Sequence, residues 1–129
     1  MDLREPGAIF AGGCAGALAR VGLDRAFPPA AAHWPWVTFA VNVSGCLVLG
    51  WVATRLTERA RPSAHLRSLL ATGLCGTYTT FSTMALEVLV MLRHDRYALA
   101  AGYAAASIGA GYLAIWLGGA LVRRTRVIA

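Results

Sequence analysis

Charge is scarce in this chain. Of its 129 residues only 14% are charged, against 57% in the hydrophobic set; a soluble domain carries roughly 25% charged residues. With a mean hydropathy of +0.57, the shortfall points to lipid as the main solvent. Lysine is missing altogether: all twelve basic residues are arginine, set against six acidic ones, for a formal net charge of +6. A basic excess can serve nucleic acid, anionic lipid or an anionic substrate. Here the arginines fall between apolar segments and at the C-terminus, not in one patch, which favours membrane flanks and argues against nucleic acid. Cysteine is sparse and odd in number. Cys14, Cys46 and Cys75 form no CxxC pair and each lies in an apolar run, so they read as three small buried hydrophobes and not as disulfide or metal chemistry. No basic start, short apolar core and small-residue cleavage site occur in order, so no signal peptide is expected. Nor is there a nucleophile–base pair, a metal-ligand spacing or a phosphate loop, and an enzyme is not expected.

What is present is length and apolarity in the right units. A spanning helix needs about 20 mostly apolar residues, and four stretches supply them, at about 6–23, 34–53, 66–92 and 97–122. The connectors agree with this division. Residues 24–33 carry Pro28 and Pro29, residues 54–67 carry Arg55, Glu58, Arg59, Arg61 and Pro62, and Arg93-His94-Asp95-Arg96 makes a tight charged turn. Trp34, Trp36, Trp51, Tyr97 and Trp116 lie near span ends, as an interfacial aromatic belt requires. The expected architecture is a single all-α membrane domain over residues 1–129, with both termini on one side. That side holds Arg4, Arg55, Arg59, Arg61, Arg67, Arg123, Arg124 and Arg126, which favours cytoplasmic termini. Arg25, Arg93 and Arg96 lie opposite, with Arg20 near them. Small residues recur along the spans (Gly12 and Gly16, Gly45 and Gly50, Gly73 and Gly76, Gly102 with Ala106) and let helices approach closely where lipid supplies no hydrophobic drive. Four helices of this size do not readily enclose a pore, so oligomerisation is expected.

Polar residues inside the spans carry the functional information. Arg20 ends the first, Asn42 sits deep in the second and Glu87 lies late in the third; such residues face protein or a water-filled cavity and mark pathways, the alternatives being snorkelling toward an interface for Arg20 and Glu87 and an interhelical hydrogen bond for Asn42. In the third span, Thr72-Gly73-Leu74-Cys75-Gly76-Thr77-Tyr78-Thr79-Thr80-Phe81-Ser82-Thr83 packs glycines, threonines and a serine into its middle. All are poorer helix formers than alanine. The run predicts a break, although its hydroxyls bonding back to the preceding turn would instead leave a continuous helix. Freed backbone groups are tolerated in a membrane only where protein or a cavity satisfies them, and transporters bind ions at such discontinuities. On helical spacing Thr80, Thr83 and Glu87 share one face, and Phe81 and Met84 a neighbouring one. Tyr103 and Ser107, four apart in the last span, extend the polar track across a neighbouring helix.

These residues resemble a family. Gly16-Ala17-Leu18-Ala19-Arg20 is similar to the GAxxR element of the Fluc/CrcB fluoride channels. WVTFAVNVSG (36–45) resembles their second-span pattern, GLCGTYTTFST (73–83) their third-span GxxGGxTTFST, and Tyr103 and Ser107 their last-helix tyrosine and serine. The resemblance covers all four spans in order. It implies a dual-topology, antiparallel homodimer in the cell (inner) membrane, with two pores that export fluoride passively and protect against fluoride toxicity. It also implies a structural sodium ion on the dimer axis, held by backbone carbonyls of Gly76 and Thr79. Asn42 would donate a hydrogen bond to fluoride and Phe81 would turn its ring edge, the positive part of the aromatic quadrupole, toward the ion. Thr80, Ser82, Thr83, Tyr103 and Ser107 would continue the track, with Met84 in place of a second phenylalanine and Arg20 and Glu87 nearer the vestibules. Three residues depart from the pattern: Thr77 for a glycine, Met84 for that phenylalanine, and Gly111 where relatives often carry a hydroxyl. The alternative is a small four-helix multidrug/proton exporter, which needs an embedded carboxylate, typically in the first span. The first span has none.

Overall fold

The computed structural model describes residues 3–28, 30–58 and 63–127, the side chains of the last two excepted. Arg59, Arg61 and Pro62 of the expected charged connector, Pro29, and the side chain of Arg126 lie outside the described residues. Helix α1 runs Arg4–Ala26 and α2 Trp36–Thr57. A third rod follows in pieces: α3 (Ala64–Arg67), a π-helical stretch (Ser68–Cys75), α4 (Gly76–Tyr78) and α5 (Phe81–Arg93). The last helix, α6, runs Tyr97–Val127. Among the described residues, four helical runs are long and apolar enough to cross a membrane, Arg4–Ala26, Trp36–Thr57, Ala64–Arg93 and Tyr97–Thr125. The described residues contain no strand. The chain is therefore a multi-pass, all-helical membrane protein whose third span is broken.

Short connectors make successive spans antiparallel, so α2 and α6 run parallel. They pack along their length, and small residues set the distance. A Cβ placed on Gly50 would collide with the Ile115 carbonyl, and one on Gly118 would lie 2.8 Å from Trp51 N. α1 instead packs on the π-helical stretch. A Cβ on Gly12 would collide with Leu69 O, one on Gly16 with Leu74 O, and one on Gly73 would lie 2.6 Å from Ile9 O. Backbones this close gain dispersion contacts that lipid does not provide. Gly102 has nothing within 4 Å, so not every small residue of the expected stripes is an interface.

The buried cluster of α5 and α6 comprises Met84, Met91, Ala100 and Tyr103, with Trp34, Phe39, Val88 and Leu99 packed against it. Among the belt aromatics Trp34 differs: it is half-buried and packs inward, its ring 5.4 Å from that of Tyr103 at 78°. Trp36, Trp51, Tyr97 and Trp116 are exposed. Cys14 also departs from expectation. It is exposed, Cys46 is half-buried and only Cys75 is buried, since α1 buries just Gly12 and Gly16. In the charged turn Asp95 takes a positive φ of 57°; Arg96 N donates to Met91 O at 2.9 Å, closing α5.

Candidate functional site

The break lies at Thr79 and Thr80, both extended (ψ 155° and 114°). Side chains replace several of the hydrogen bonds lost there. In a continuous helix Thr80 N would donate to Gly76 O. It donates instead to Asn42 Oδ1 at 2.8 Å, while Asn42 Nδ2 donates to Thr80 O at 3.0 Å. One amide of α2 thus grips both backbone groups of one residue. Thr83 N, which would otherwise donate to Thr79 O, donates to Thr80 Oγ1 at 3.1 Å, so Thr80 caps α5 with its own hydroxyl. The carbonyls of Gly76 and Thr79 are thereby released from helical bonding.

The half before the break is fastened to α1. Arg20 Nε donates to Thr77 O at 3.1 Å, a carbonyl that a continuous helix would give to Phe81 N. Thr77 Oγ1 lies 2.9 Å from both Gly13 O and Gly73 O. Glu5 Oε1 accepts from Ser68 Oγ at 2.8 Å at the head of the π-helical stretch. A π-helical stretch is wider than an α-helix and recurs at functional sites; here it faces the glycines of α1.

The half after the break is fastened to α2 and α6. Glu87 receives Thr38 Oγ1 at 2.6 Å on Oε1 and Tyr103 OH at 2.7 Å on Oε2. Each carboxylate oxygen therefore has a donor, which the cost of a carboxylate within a span demands. Thr80 Oγ1 donates to Thr83 Oγ1 at 2.9 Å and lies 3.3 Å from Ser82 Oγ. Thr80, Thr83, Glu87 and Tyr103 thus form one polar line from the break along α5 and across to α6.

Beside the break, α2, α5 and α6 leave a groove of about 420 Å³ with Asn42, Thr80, Phe81, Met84 and Ser107 on its wall. Phe81 is 77% exposed at the groove edge, Met84 8% and Ser107 7% exposed. A second groove, of about 280 Å³, is lined by Thr83, Glu87 and the 30–35 connector. Of the residues named from sequence, Asn42, Phe81, Met84, Thr80 and Ser107 converge on the first groove, and Thr83 and Glu87 on the second. Ser82 is exposed beside Thr80. Arg20 stands apart from Glu87, on the α1 side of the break. Gly76 is exposed on the face that the first half of the rod leaves uncovered. Sequence reasoning passed over Thr38, although it lies four residues before Asn42 and so shares one face of α2 with it.

Fold and site together define a multi-pass helical membrane protein whose discontinuous third span is satisfied by side chains of its neighbours. Residues 7–119 match the family described as CrcB-like protein, Camphor Resistance (CrcB). The chain belongs to that family. It is 52% identical over 126 residues to the fluoride-specific ion channel FluC 1 of Mycolicibacterium paratuberculosis, covering 98% of this chain and 96% of the relative. The FluC 1 of Mycobacterium tuberculosis is 51% identical over the same length, with the same coverage. The fluoride-specific ion channel FluC of Synechocystis is 40% identical over 130 residues, 98% of each chain.

Proposed function

We infer that this chain is a fluoride-selective channel and not an enzyme, exporting fluoride passively across the cell (inner) membrane. The observation that carries the reading is the broken third span opening onto the groove of Asn42, Phe81, Met84 and Ser107, in a chain that matches relatives named as fluoride channels over nearly its whole length. Fluoride is small and strongly hydrated, so a pore must replace its water with converging donors. An asparagine amide carries two N–H groups. One Asn42 N–H holds Thr80 O, and the other is left to the groove. The Phe81 ring edge and the hydroxyls of Thr80, Ser82, Thr83, Tyr103 and Ser107 continue the path, with Glu87 in the vestibule it shares with Thr83. Fluoride efflux from liposomes holding the purified protein should exceed that from empty vesicles and greatly exceed chloride efflux. Efflux equal to that of empty vesicles, from correctly folded protein, would refute the channel.

The functional unit in this reading is an antiparallel homodimer of chains inserted in both orientations. Phe81 and Gly76 flank the break and are both exposed, which supports a partner there. Cysteine labelling of an engineered loop residue from each side of the membrane tests the orientation, and labelling from one side only would exclude it. The carbonyls of Gly76 and Thr79 fit a structural sodium ion: both are hard oxygens released from helical bonding, and two subunits would supply four. A cation held there supplies positive charge at the break. Because backbone atoms are the donors, Thr79→Ser should be mild; anomalous or ion-replacement data that find no cation on the dimer axis would remove the site. The exporter reading is not favoured, since Glu5 and Asp24 lie at the two ends of α1 and Glu87 is bound on both oxygens by Thr38 and Tyr103.

A further inference from the structure

Close packing joins the helices in two pairs, and the pairs part toward the side that holds the termini. We propose that the cleft they leave there, between α2 and the first half of the third rod, holds an acyl chain of an anionic phospholipid whose phosphate sits on the Arg67 guanidinium. The proposal does not depend on which ion the chain carries.

α2 lies on α6 and the π-helical stretch on α1, each pair drawn together by its glycines. The two pairs meet at Gly45, where a Cβ would collide with the Thr79 side chain. Beyond Gly45 the same face of α2 carries Leu49, Ala53 and Leu56 at helical spacing. There a cleft of about 200 Å³ opens, lined by Leu49, Ala53, Leu56, Thr57, Arg67 and Ala71. An empty apolar cleft forfeits dispersion contacts, and in a bilayer an acyl chain restores them. The order of residues along the cleft is that of a phospholipid. Leu49, Ala53 and Ala71 lie farther in, whereas Thr57 and Arg67 stand where α2 ends and the third rod begins. Leu49 to Thr57 is about 12 Å of helix, close to the roughly 15 Å of hydrocarbon in one leaflet. Charge selects the headgroup. Arg67 is exposed, and among the described residues its guanidinium has no hydrogen bond or ion pair. Thr57 Oγ1 already donates to Ala53 O at 2.9 Å, so Arg67 supplies the donors at the mouth. On this side eight arginines are set against Asp2, Glu5 and Glu58, and basic residues at a cleft between spanning helices favour anionic headgroups.

Native mass spectrometry of the purified protein, titrated with phosphatidylglycerol or with phosphatidylcholine of the same chains, tests the site. The parent should hold one phosphatidylglycerol per chain about tenfold more tightly than phosphatidylcholine, on the scale of one hydrogen bond to a charged group. Arg67→Gln should erase that preference and leave phosphatidylcholine binding unchanged, and Arg67→Lys should keep part of it. Arg124→Gln, an equal loss of charge outside the cleft, should keep all of it. Ala53 is exposed, so Ala53→Phe adds a ring to the cleft without entering the core, and it should weaken binding of both lipids. A parent with no preference, full preference in Arg67→Gln, an equal loss in Arg124→Gln, or unchanged lipid binding in Ala53→Phe would each overturn the site. Displacement of the lipid by inorganic phosphate would also overturn it, by reducing Arg67 to a plain anion site. So would a switch from dimer to monomer in Ala53→Phe, which would give the cleft to a second copy of the chain.

Discussion

The third span is two different structures joined at Thr79 and Thr80. Before the break, the chain is π-helical, rich in small residues, and held to α1 mainly through backbone: Arg20 and the Thr77 hydroxyl bond main-chain carbonyls, and Gly12, Gly16 and Gly73 bring the two backbones together. After the break, a regular α-helix is held by side chains, with Glu87 bridging Thr38 and Tyr103, and Met84 and Met91 packed on Ala100 and Tyr103. The difference teaches how a membrane protein keeps irregular backbone. An unsatisfied backbone group in hydrocarbon costs several kcal/mol, so every group freed at the break must be met by a neighbouring helix or reserved for an ion. Asn42 holds both backbone groups of Thr80 at the joint itself.

The largest effect should therefore come from that residue. Asn42→Ala removes a donor and an acceptor at once, strands two half-buried backbone groups of Thr80 at up to about 1–3 kcal/mol each, and takes the proposed fluoride donor away. Efflux should fall to the level of empty vesicles and the melting temperature in detergent should drop. Asn42→Asp keeps the acceptor for Thr80 N and should be the more stable of the two; equal melting temperatures would show that the break is held elsewhere.

Next in size is the tie after the break. In Glu87→Gln, the amide nitrogen faces either Thr38 or Tyr103, both of which donate to Glu87. One donor loses its acceptor, and efflux should fall by about tenfold on the scale of one hydrogen bond. Tyr103→Phe should reproduce part of the loss, and adding Glu87→Gln to it should cost less than the two separate losses together. Full additivity of the two changes in efflux would show that they do not act through one contact.

Met84 sharpens the contrast, because it belongs both to the packed side of α5 and to the groove. Met84→Phe should stay active, while Met84→Ile, stiff and branched at Cβ, should slow fluoride several-fold on the scale of a reshaped core contact. If both variants conduct like the parent, Met84 only packs.

The smallest effect is expected before the break. Thr77→Gly restores the family's glycine and removes the hydroxyl that reaches Gly13 O, which should lower stability by about 1 kcal/mol while efflux stays within twofold. Thr77→Ser should hold the parent's melting temperature. A large loss of efflux in Thr77→Gly would mean that the α1 side also shapes the path.

Apolar run lengths and their charged connectors determined the four spans, because a bilayer of fixed thickness admits few other readings of such a chain. The Thr- and Gly-rich run from Thr72 to Thr83 pointed to the break, since these residues are weak helix formers in a place where a helix is otherwise compulsory. An interhelical hydrogen bond from Asn42 was one of two readings open in the sequence, but its partner was not legible. Asn42 and Thr80 lie 38 positions apart, and nothing local tells an amide that grips backbone from one that only meets an ion. Thr38 was missed for a similar reason. It is an unremarkable small residue on α2 and gains a role only from what faces it, Glu87. The exposure of Cys14 belongs to the same class: composition assigns a residue to lipid or to core on average, while the rotation of a helix about its own axis assigns it in fact. That rotation is set by contacts with other helices, which only the tertiary structure decides.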